Sequence, residues 1–522
     1  MGHDHDDTYW CLTGNAGTTP GTNFLGTTDD TDLQLRVNNQ RALLIESASV
    51  VNVIGGDDGN SVAPGVIGAT ISGGGSFNHE NQITDPIADH ATIGGGEQNI
   101  VSGHHATVSG GFDNQATTTF TTVGGGVGNR ATVLDATVSG GSGNIASGGK
   151  GATVSGGITN TASNQTATVG GGELNVASGQ NATIGGGFGN TAGGTATVAG
   201  GRQNNAGGQD SFIGGGNANT TTRVEATIGG GFMNLASGEE SFIGGGKLNT
   251  ASALQGTVGG GEGNLAGGIR GSTVGGGFGN TADGASATTP GGFDNTASAD
   301  YSFAAGRHAK IIDLSHDGAT VFAGSNNFDF SSMAANEFAV RATGGTRIVS
   351  AIDGSGNITA GVQLNPGAGA WSALSDRATK TNFSSVDGRE ILERLNKIPI
   401  EFWSYKSQDD SIRHIGPMAQ DFYAAFGTGE DEKHISTIDA DGIALAAIQG
   451  LSQMVQEKDA QIAELEARLV EVEQALGLAE ATANPRSSRF SGSSKIWMIG
   501  LALGLVLGSP GLILGYRRFW KI

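Results

Sequence analysis

The sequence predicts a mainly β protein. A glycine-rich solenoid or β-roll is followed by a small α+β domain, a coiled coil and one C-terminal transmembrane helix. Three observations predict this order: a 15-residue repeat over residues 66–300, a mixed segment over residues 372–447, and an apolar heptad that precedes a charge-free run. The chain has 522 residues, so several domains are expected.

Composition excludes several classes of protein. Glycine supplies 93 residues and proline only 9, with no Gly-X-Y period, so the chain is not a collagen. The net charge is −21, with 28 Lys and Arg residues. This charge argues against a nucleic-acid partner, because phosphate neutralisation needs clustered basic side chains. Cys11 is the single cysteine and therefore cannot form an intrachain disulfide.

The first residues carry neither a targeting signal nor a strong ligand set. Residues 1–7 are acidic and contain no apolar run, so no secretory signal peptide is expected. His3 and His5 stand beside aspartates and could bind a metal weakly, but no distant ligand set completes a site. We therefore predict no metal site and no cofactor.

The N-terminal region, residues 1–65, is predicted to be a small β unit. Apolar and polar residues alternate over Leu33–Val37, and Asn38-Asn39 supplies a turn signal. The chain then returns through Arg41 to Ile45, and this pattern indicates a β-hairpin.

Residues 66–300 repeat a unit of the form A-T-V/I-G-G-G-x-x-N-x-A-S-G. Its asparagines recur every 15 residues, with one departure to 14 and two to 16, in fourteen clear copies and a degenerate one near Ile71. They are Asn99, Asn114, Asn129, Asn144, Asn160, Asn175, Asn190, Asn204, Asn219, Asn234, Asn249, Asn264, Asn280 and Asn295. Self-similarity at a fixed short period predicts a repetitive fold.

Each unit fits one coil made of two short strands and two tight turns, because glycine triplets exclude a pair of helices. The Thr-Val or Thr-Ile pair is predicted to be a strand with one side chain inward, and Ala-Ser-Gly the second strand and turn. The glycines turn the chain or let a neighbouring backbone approach closely. The asparagine bonds its own backbone or stacks as a ladder. One coil buries only one or two small side chains and cannot be stable alone, so stacked coils must share a continuous core.

These repeats resemble the head repeats of trimeric autotransporter adhesins over roughly residues 66–300. That family forms a left-handed β-roll in a bundle of three chains, so the resemblance implies a homotrimer. The low apolar content of each coil favours a core shared between three chains, and a single-chain β-helix is the alternative. No Gly-Lys-Ser/Thr follows any glycine run, which argues against a phosphate-binding loop.

One position of the repeat, between the glycines and the asparagine, varies in chemistry. Its side chains include Glu97, Phe112, Arg202, Phe232 and Lys247. Such variation is typical of an exposed or ligand-contacting position, and a cell-surface or glycan ligand is the candidate partner. Carboxylate pairs at recurring positions and aromatic residues are both scarce, so a carbohydrate-cleaving enzyme is the least favoured hypothesis.

Residues 301–371 lose the 15-residue period and are predicted to form a β-rich neck. Short strands are expected at residues 301–303, 319–323, 337–342 and 347–352. Turn signals follow at Gly344-Gly345 and at residues 353–357, where glycines alternate with polar residues. The neck thus joins the repeats to a segment of different composition.

Residues 372–447 have an ordinary mixed composition and are predicted to form a small α+β domain. Asp387 can cap a helix whose apolar residues share one face. Residues 398–405 are predicted to be a strand. Residues 414–422 are predicted to lead into a short helix that ends near Gly427.

This order resembles the intramolecular chaperone domain at the C-terminus of phage endosialidases, tail spikes and many bacterial fibre proteins, over about residues 372–475. The matching pieces are Ser375-Asp376 with Lys380, Phe402-Trp-Ser-Tyr405, Ile415-Gly-Pro-Met-Ala-Gln420 and Gly442-Ile443-Ala-Leu445. That family trimerises, helps the upstream fibre to fold, and then cleaves itself just before the serine.

The resemblance implies a cut between Leu374 and Ser375. Ser375 would attack the carbonyl of Leu374, and Lys380 would be the general base, which requires an uncharged amine. Residues five apart do not share a helix face, so the pair needs a turn there or the lysine of a neighbouring chain. Because a serine five residues before a lysine is common by chance, the assignment depends on the surrounding motifs. The activity would be that of a single-turnover serine peptidase.

Four further residues surround this pair in the sequence. His414 is a candidate helper, because a histidine before the Gly-Pro-Met-Ala-Gln segment recurs in the family, and a surface histidine before a turn is the alternative. Asp376 is expected to fix the loop or cap the backbone. Gln420 is expected to pack or hydrogen-bond structurally. Arg377 lies close enough in sequence to place a like charge near the lysine.

Residues 448–480 are predicted to form a coiled coil, because a seam recurs in steps of three and four residues. The seam consists of Ile448, Leu451, Val455, Lys458, Ile462, Leu465, Leu469, Val472 and Leu476. Lys458 is the misfit, and a polar seam residue can set register and chain number. The seam does not by itself demand three chains, so the trimer prediction depends on the two resemblances.

A linker over residues 481–495 and a single-pass membrane helix over residues 496–516 are predicted at the C-terminus. The second segment has no charge and is long enough to span a bilayer. Gly500, Gly504 and Gly508 form a small-residue face, and basic residues on both sides specify orientation weakly. A buried helix of a soluble domain and a cleavable sorting signal are the alternatives.

The sequence therefore predicts a membrane-tethered, homotrimeric surface fibre or adhesin with a self-cleaving chaperone. The alternative is a phage tail fibre or spike that binds a host receptor. The apolar C-terminal segment argues against the phage alternative, since a virion fibre has no use for a membrane span. A cell-surface location follows from the first hypothesis, although no signal peptide accompanies it.

Overall fold

A computed structural model describes residues 14, 16–19 and 21–475, which divide into two compact units. The first unit extends to Thr346 and includes Asn365–Gly369. The second unit comprises Arg347–Leu364 and the residues from Ala370 onward.

The first unit is a parallel β-solenoid of about 19 turns, which confirms the predicted repetitive β fold. Each coil contributes two-residue strands to two faces, and strands of successive coils pair in parallel register. Thr168 thus pairs with Thr183 on the first face, and Ala162 pairs with Ala177 on the second.

The repeat strands share one burial pattern on both faces: the first residue points outward and the second inward. Strands of the first face are Thr70–Ile71, Thr92–Ile93, Thr107–Val108, Thr122–Val123, Thr137–Val138, Thr153–Val154, Thr168–Val169, Thr183–Ile184, Thr197–Val198, Phe212–Ile213, Thr227–Ile228, Phe242–Ile243, Thr257–Val258, Thr273–Val274 and Thr288–Thr289. Strands of the second face are Ser61–Val62, Gln82–Ile83, Ile100–Val101, Gln115–Ala116, Arg130–Ala131, Ile145–Ala146, Thr161–Ala162, Val176–Ala177, Thr191–Ala192, Asn205–Ala206, Thr220–Thr221, Leu235–Ala236, Thr250–Ala251, Leu265–Ala266, Thr281–Ala282 and Thr296–Ala297.

The core of each coil is closed within one chain. In a typical coil Ala167, Val169, Asn175 and Ala177 are all 0% exposed. The expectation that three chains share this core is therefore wrong, and the single-chain alternative describes the fold. Small side chains suffice to fill the interior because the coil is narrow. Hydrogen-bonded asparagine side chains and backbone occupy the rest of it.

A ladder of buried asparagines fixes the bend between the faces, as the sequence predicts. The side-chain oxygen of Asn175 accepts the backbone N–H of Asn190 at 3.0 Å. The side-chain amide of Asn190 donates to the carbonyl oxygens of Gly186 and Gly201, each at 2.9 Å. These hydrogen bonds join the coil of each asparagine to both neighbouring coils. They also offset the free energy of removing the polar amide from water, because all its groups are paired.

The third glycine of each triplet is required by close backbone approach. Gly231 has a φ of +97°, and a Cβ placed on it would overlap the carbonyl oxygen of Gly246 in the next coil. Gly230, one residue earlier, has no atom within 4 Å of such a Cβ. Two glycines of one triplet therefore differ in what they tolerate.

We expect Gly231→Ala to destabilise the solenoid by about 2–4 kcal/mol, because the new Cβ adds an overlap to a left-handed backbone. Gly230→Ala is the matched control and should change stability by about 0.5 kcal/mol or less. Urea unfolding of the full chain, followed by β-sheet circular dichroism, measures both. Equal losses in the two variants would contradict this account of the triplet.

The varying position forms a third face, on which single residues of successive coils make parallel bridges. This third face comprises Glu97, Phe112, Val127, Ser142, Ile158, Glu173, Phe188, Arg202, Asn217, Phe232, Lys247, Glu262, Phe278 and Phe293. Most of its apolar members are exposed, with Val127 and Phe278 both at 50%, whereas Phe188 is half-buried. The predicted exposure of this position is thus confirmed, whereas contact with a ligand stays a prediction.

Antiparallel strands lead into the first coil of the solenoid. Leu33–Val37 pairs with Gln40–Glu46 in the predicted hairpin, and Asn38 and Asn39 both have positive φ, of 52° and 59°. Gln40–Glu46 then pairs with Asn52–Gly55, whose other edge carries the first parallel strand. The hairpin therefore covers one end of the first face.

The solenoid continues past residue 300, where the sequence repeat ends. Its later strands are Gly292–Phe293, Phe303–Arg307, Ala309–Ile311, Thr320–Ala323, Phe330–Ser331 and Phe338–Arg341. They pair in parallel with the preceding coils, so this half of the predicted neck continues the coil stack. Longer connecting loops hide the period in the sequence without breaking the strand register.

The second unit contains three helices and two small sheets. The helices are α1 (Gly388–Leu395), α2 (Ala419–Phe426) and α3 (Thr437–Ala475), and a 3₁₀ turn spans Arg377–Thr379. One sheet has the order Thr346–Ile352, Ile358–Leu364, Ser372–Ala373, and the other pairs Glu401–Trp403 with His414–Gly416. The helix that carries the heptad seam begins eleven residues before the predicted start at Ile448.

The predicted coiled coil ends outside the described residues, at 476–480. The predicted linker over 481–495 and the predicted membrane helix over 496–516 also lie outside them. Among the helices that the structure describes, none is both long and apolar enough to cross a bilayer.

Candidate functional site

The bond between Leu374 and Ser375 directly follows an edge strand of the three-stranded sheet. Ser372–Ala373 runs antiparallel to Ile358–Leu364, with Ala373 opposite Val362. The backbone N–H of Leu374 donates to the carbonyl oxygen of Gly361 at 3.0 Å. The residue before the bond is therefore held at the rim of the sheet.

A capped turn brings the two predicted catalytic residues together. The carboxylate of Asp376 accepts the N–H of Ala378 at 2.9 Å, and the Thr379 hydroxyl donates to the carbonyl of Asp376 at 2.9 Å. After this turn the amine of Lys380 lies 2.6 Å from the hydroxyl oxygen of Ser375. The required turn is thus present within one chain, and Asp376 has the capping role expected of it.

The surroundings of the pair are open to solvent in the single chain. Ser375 and Lys380 are both exposed. The guanidinium of Arg377 lies 4.5 Å from the centre of the Phe383 ring, which gives this cation a partner other than the dyad. General-base chemistry needs an uncharged amine, and desolvation is the usual cause of proton loss from lysine. The single chain therefore supplies the geometry of the dyad but does not exclude water from it.

A cleft of about 220 Å³ lies beside the bond. Its lining consists of Arg347, Ile348, Val349, Ile358, Gly361, Val362, Gln363, Ser372, Ala373, Leu374 and Ser375. The lining is formed by the sheet and the residues on both sides of the bond, and it mixes apolar with polar side chains. Sequence reasoning placed strands here but missed the cleft, because its walls come from segments separated by a hairpin turn.

His414 belongs to the small hairpin of the second unit. Its ring stacks on Trp403 of the opposite strand at 4.7 Å, and Tyr405 is edge-on at 5.4 Å. Its Nε2 lies 2.8 Å from the side-chain oxygen of Gln408. Within the described residues no hydrogen bond or ring contact joins His414 to Ser375 or Lys380. These contacts show that His414 packs within the hairpin. Its role as a helper of the Ser375–Lys380 pair stays a prediction.

Hydrogen bonds also order the loop of this hairpin. The carboxylate of Asp409 accepts the backbone N–H of Ser411 at 2.9 Å and its hydroxyl at 2.6 Å. These bonds favour the ionised carboxylate and lower the pKa of Asp409 below its ordinary value. The loop therefore folds back so that Trp403 and His414 face each other across the strands.

Two helices support the region C-terminal to the bond. Helix α1 begins where Asp387 accepts the N–H of Arg389 at 2.9 Å, which confirms the predicted cap. The guanidinium of Arg389 pairs with Glu457 of α3, and this bond raises the pKa of Arg389 above its ordinary value. Arg394 donates to the carbonyl of Ala425 in α2 at 3.1 Å. Helix α2 ends at Gly427, which is left-handed at a φ of 63°, as predicted.

Helix α1 packs on α3 through two glycines. A Cβ on Gly388 would lie 2.6 Å from the carbonyl oxygen of Ala446, and a Cβ on Gly450 would overlap the carbonyl oxygen of Gly388. Gly442, also in α3, has nothing within 4 Å of such a Cβ. The contact therefore depends on glycine at one position of α3 and not at the other.

We expect Gly450→Ala to separate α1 from α3 and to cost about 1–3 kcal/mol, because the two backbones leave no room for a methyl group. Gly442→Ala is the matched control. It should stabilise the helix by about 0.5–1 kcal/mol, since alanine is the better helix former. Thermal loss of helical circular dichroism in the full chain measures both, and a stabilised Gly450→Ala variant would contradict the packing argument.

The apolar seam of α3 is exposed along its described length. Ile448, Leu451, Val455, Ile462 and Leu465 are between 50% and 62% exposed. Lys458 bonds Gln461 at 3.0 Å on the same helix. Apolar side chains at heptad spacing that no described part of the chain covers are typical of a helix that associates with other helices.

Comparison with known proteins finds a family match in the C-terminal part of the chain. No curated protein matches the chain. Residues 375–428 match the family model described as chaperone of endosialidase, so the segment that begins at the serine of the dyad is a chaperone-of-endosialidase domain.

Proposed function

We propose that this protein is a trimeric fibre or adhesin-like surface protein that cleaves itself between Leu374 and Ser375 once it has folded. In this proposal the chaperone domain drives the association of three chains. The solenoid is the fibre that it helps to fold. The observation that carries the proposal is the 2.6 Å approach of the Lys380 amine to the Ser375 hydroxyl. It occurs at the first residue of the matched domain.

The chemistry requires Ser375 to attack the residue that precedes it. Lys380 takes the hydroxyl proton, and the Ser375 oxygen attacks the carbonyl carbon of Leu374. The C–N bond breaks, and the proton passes from Lys380 to the nitrogen that leaves. Leu374 and the Ser375 oxygen are now joined by an ester, which water hydrolyses. The products are a carboxylate at Leu374 and a new N-terminus at Ser375.

Association supports this chemistry by covering the site. The dyad is exposed in one chain, and a lysine base works better where water is excluded. The cleft beside the bond has a mixed lining with apolar side chains, suited to receive side chains of another chain. The exposed seam of α3 offers a surface through which copies can associate. Cleavage would then follow assembly, as a signal that folding is complete.

A phage tail fibre or spike that binds a host receptor is the second candidate function. The exposed third face favours it, because a column of varied side chains on a rigid solenoid is a suitable receptor surface. For the first candidate, the membrane helix over 496–516 and the surface location are part of the proposal. Membrane fractionation of cells that express the full chain separates the two candidates.

The proposal is tested by expressing the full chain and analysing it under native and denaturing conditions. We expect two fragments on a denaturing gel, residues 1–374 and 375–522, the second with Ser375 at its N-terminus. We also expect the native mass of a trimer. A chain that stays intact while trimeric contradicts cleavage alone, whereas a monomeric chain contradicts the chaperone role.

A further inference from the structure

We propose that the C-terminal end of the solenoid holds a divalent transition-metal site, of the zinc class, formed by Asp294, His308 and Asp329. One ligand atom from each residue lies within 4.8 Å of the other two. The residues occupy matching places in three successive coils. His308 donates its backbone N–H to Phe293, and Phe330 pairs with Ala309, so each ligand is next to the one before it.

The distances fit a first coordination sphere. Nδ1 of His308 lies 2.9 Å from Oδ2 of Asp294 and 3.3 Å from Oδ1 of Asp329. A metal bound at about 2.0–2.2 Å by nitrogen and oxygen ligands separates neighbouring ligand atoms by about 3.0–3.4 Å. The distance of 3.3 Å lies within this range, and the distance of 2.9 Å lies just below it.

The imidazole nitrogen is close to both carboxylates without bonding either of them. Nδ1 of His308 is buried and makes no hydrogen bond among the described residues, although two carboxylate oxygens lie within 3.3 Å. At these distances, failure to bond means that neither oxygen lies along the direction in which a proton on Nδ1 would point. A buried nitrogen without a hydrogen bond lowers the stability of the fold. A cation bound by all three ligand atoms would give this nitrogen a partner.

The nearby cations orient the ligands without occupying the site. Lys310 is only 9% exposed, and its amine donates to Oδ1 of Asp294 at 2.9 Å. The other oxygen of that carboxylate therefore faces the imidazole, in the manner of the outer hydrogen bonds that orient metal ligands. Arg307 and Arg341 are directed at the rings of Phe293 and Phe330, at 4.9 and 5.3 Å. Of these three cations, Lys310 is the one with a described bond to a ligand carboxylate.

The ligand set selects the class of metal. One imidazole and two carboxylates suit Zn²⁺ or Co²⁺, whereas Mg²⁺ and Ca²⁺ prefer oxygen ligands alone. The Asp329 side chain is 65% exposed, so ions can enter from solvent. A bound metal would clamp three coils near the last parallel strand, Phe338–Arg341, where a solenoid lacks a further neighbour on one side.

The test is calorimetric titration of the chelator-treated full chain with Zn²⁺, and with Co²⁺ followed by visible absorption. Every protein carries His3→Ala and His5→Ala, because that histidine pair could bind metal independently. We expect one equivalent in the parent that is lost in Asp329→Asn and in His308→Gln. His316→Gln is the matched control, since His316 also lies near a carboxylate, Asp313, at 3.7 Å. This variant should keep the equivalent, and Mg²⁺ should not replace it.

Stability supplies an independent readout. Saturating Zn²⁺ should raise the melting temperature of the parent and of His316→Gln but not of Asp329→Asn, because a ligand stabilises only the state that binds it. Equal Zn²⁺ binding by the parent and Asp329→Asn would overturn the proposal. The absence of Zn²⁺ and Co²⁺ binding by the parent would overturn it as well.

Discussion

Ser375→Ala is expected to leave the full chain uncut, whereas the parent separates into residues 1–374 and 375–522. Alanine removes the only atom that can attack the Leu374 carbonyl in the proposed reaction. It keeps the backbone, because the serine hydroxyl makes its one described hydrogen bond with Lys380 and holds no other part of the turn. The variant should therefore fold, associate and stay covalently intact, which a denaturing gel and the intact mass measure.

A companion change tests the base. Lys380→Arg retains a cation that can contact Ser375, but a guanidinium stays protonated and cannot accept the hydroxyl proton. Removal of a general base typically slows a reaction by about 10²–10⁴-fold. We expect fragments to appear over days in Lys380→Arg when the parent is already cut. Cleavage at the parental rate would remove Lys380 from the mechanism while leaving Ser375 in it.

Ser384→Ala is the control for the serine change. Ser384 is exposed and lies nine residues after Ser375 in the same segment. Its replacement should leave cleavage unchanged. If Ser375→Ala and Ser384→Ala were both cut as the parent is, the nucleophile would lie elsewhere and the proposed function would lose its enzymatic part.

Local patterns in the sequence predicted the solenoid in detail but not how its core is closed. The asparagine spacing placed a ladder at the bend, and the structure has it, with Asn190 bonded to both neighbouring coils. The same small side chains suggested a shared core, since composition does not report how narrow a coil is. Val169 and Ala177 are fully buried within one chain because the opposed faces lie close together.

The candidate site was predictable where it depends on local chain geometry. The spacing of Ser375 and Lys380 required either a turn or the lysine of a neighbouring chain, and a turn capped by Asp376 brings the two side chains of one chain to 2.6 Å. The stacking of His414 on Trp403 depends on strand register, which motif resemblance does not supply. Asp294, His308 and Asp329 are 14 and 21 residues apart, and no local pattern joins them. Only the coil register makes them neighbours.

Charge introduced into the seam of α3 should dissociate the assembly. In the variant Ile462→Lys with Leu465→Lys, two ammonium groups per chain replace apolar side chains that are 52% and 62% exposed in the single chain. Association would bury the exposed part of these side chains, so the variant loses about 2–3 kcal/mol of apolar burial per chain and gains like-charge repulsion. We expect a trimer in the parent and a monomer in the variant by light scattering at micromolar concentration.

The control carries the same charges on the outer face of the helix. Ala463→Lys with Ala467→Lys adds two lysines within the same two turns but off the heptad seam. This variant should stay trimeric. If it dissociated to the same extent, net charge rather than the seam would govern association.

The seam variant also separates assembly from chemistry. If neighbouring chains exclude water from the dyad, the monomeric variant should be cut far more slowly than the parent, although Ser375 and Lys380 are unchanged. The outer-face control should be cut at the parental rate. A monomer that cuts itself as fast as the trimer would show that one chain activates its own lysine. Cleavage would then report the folding of the turn at Ser375 rather than the completion of the fibre.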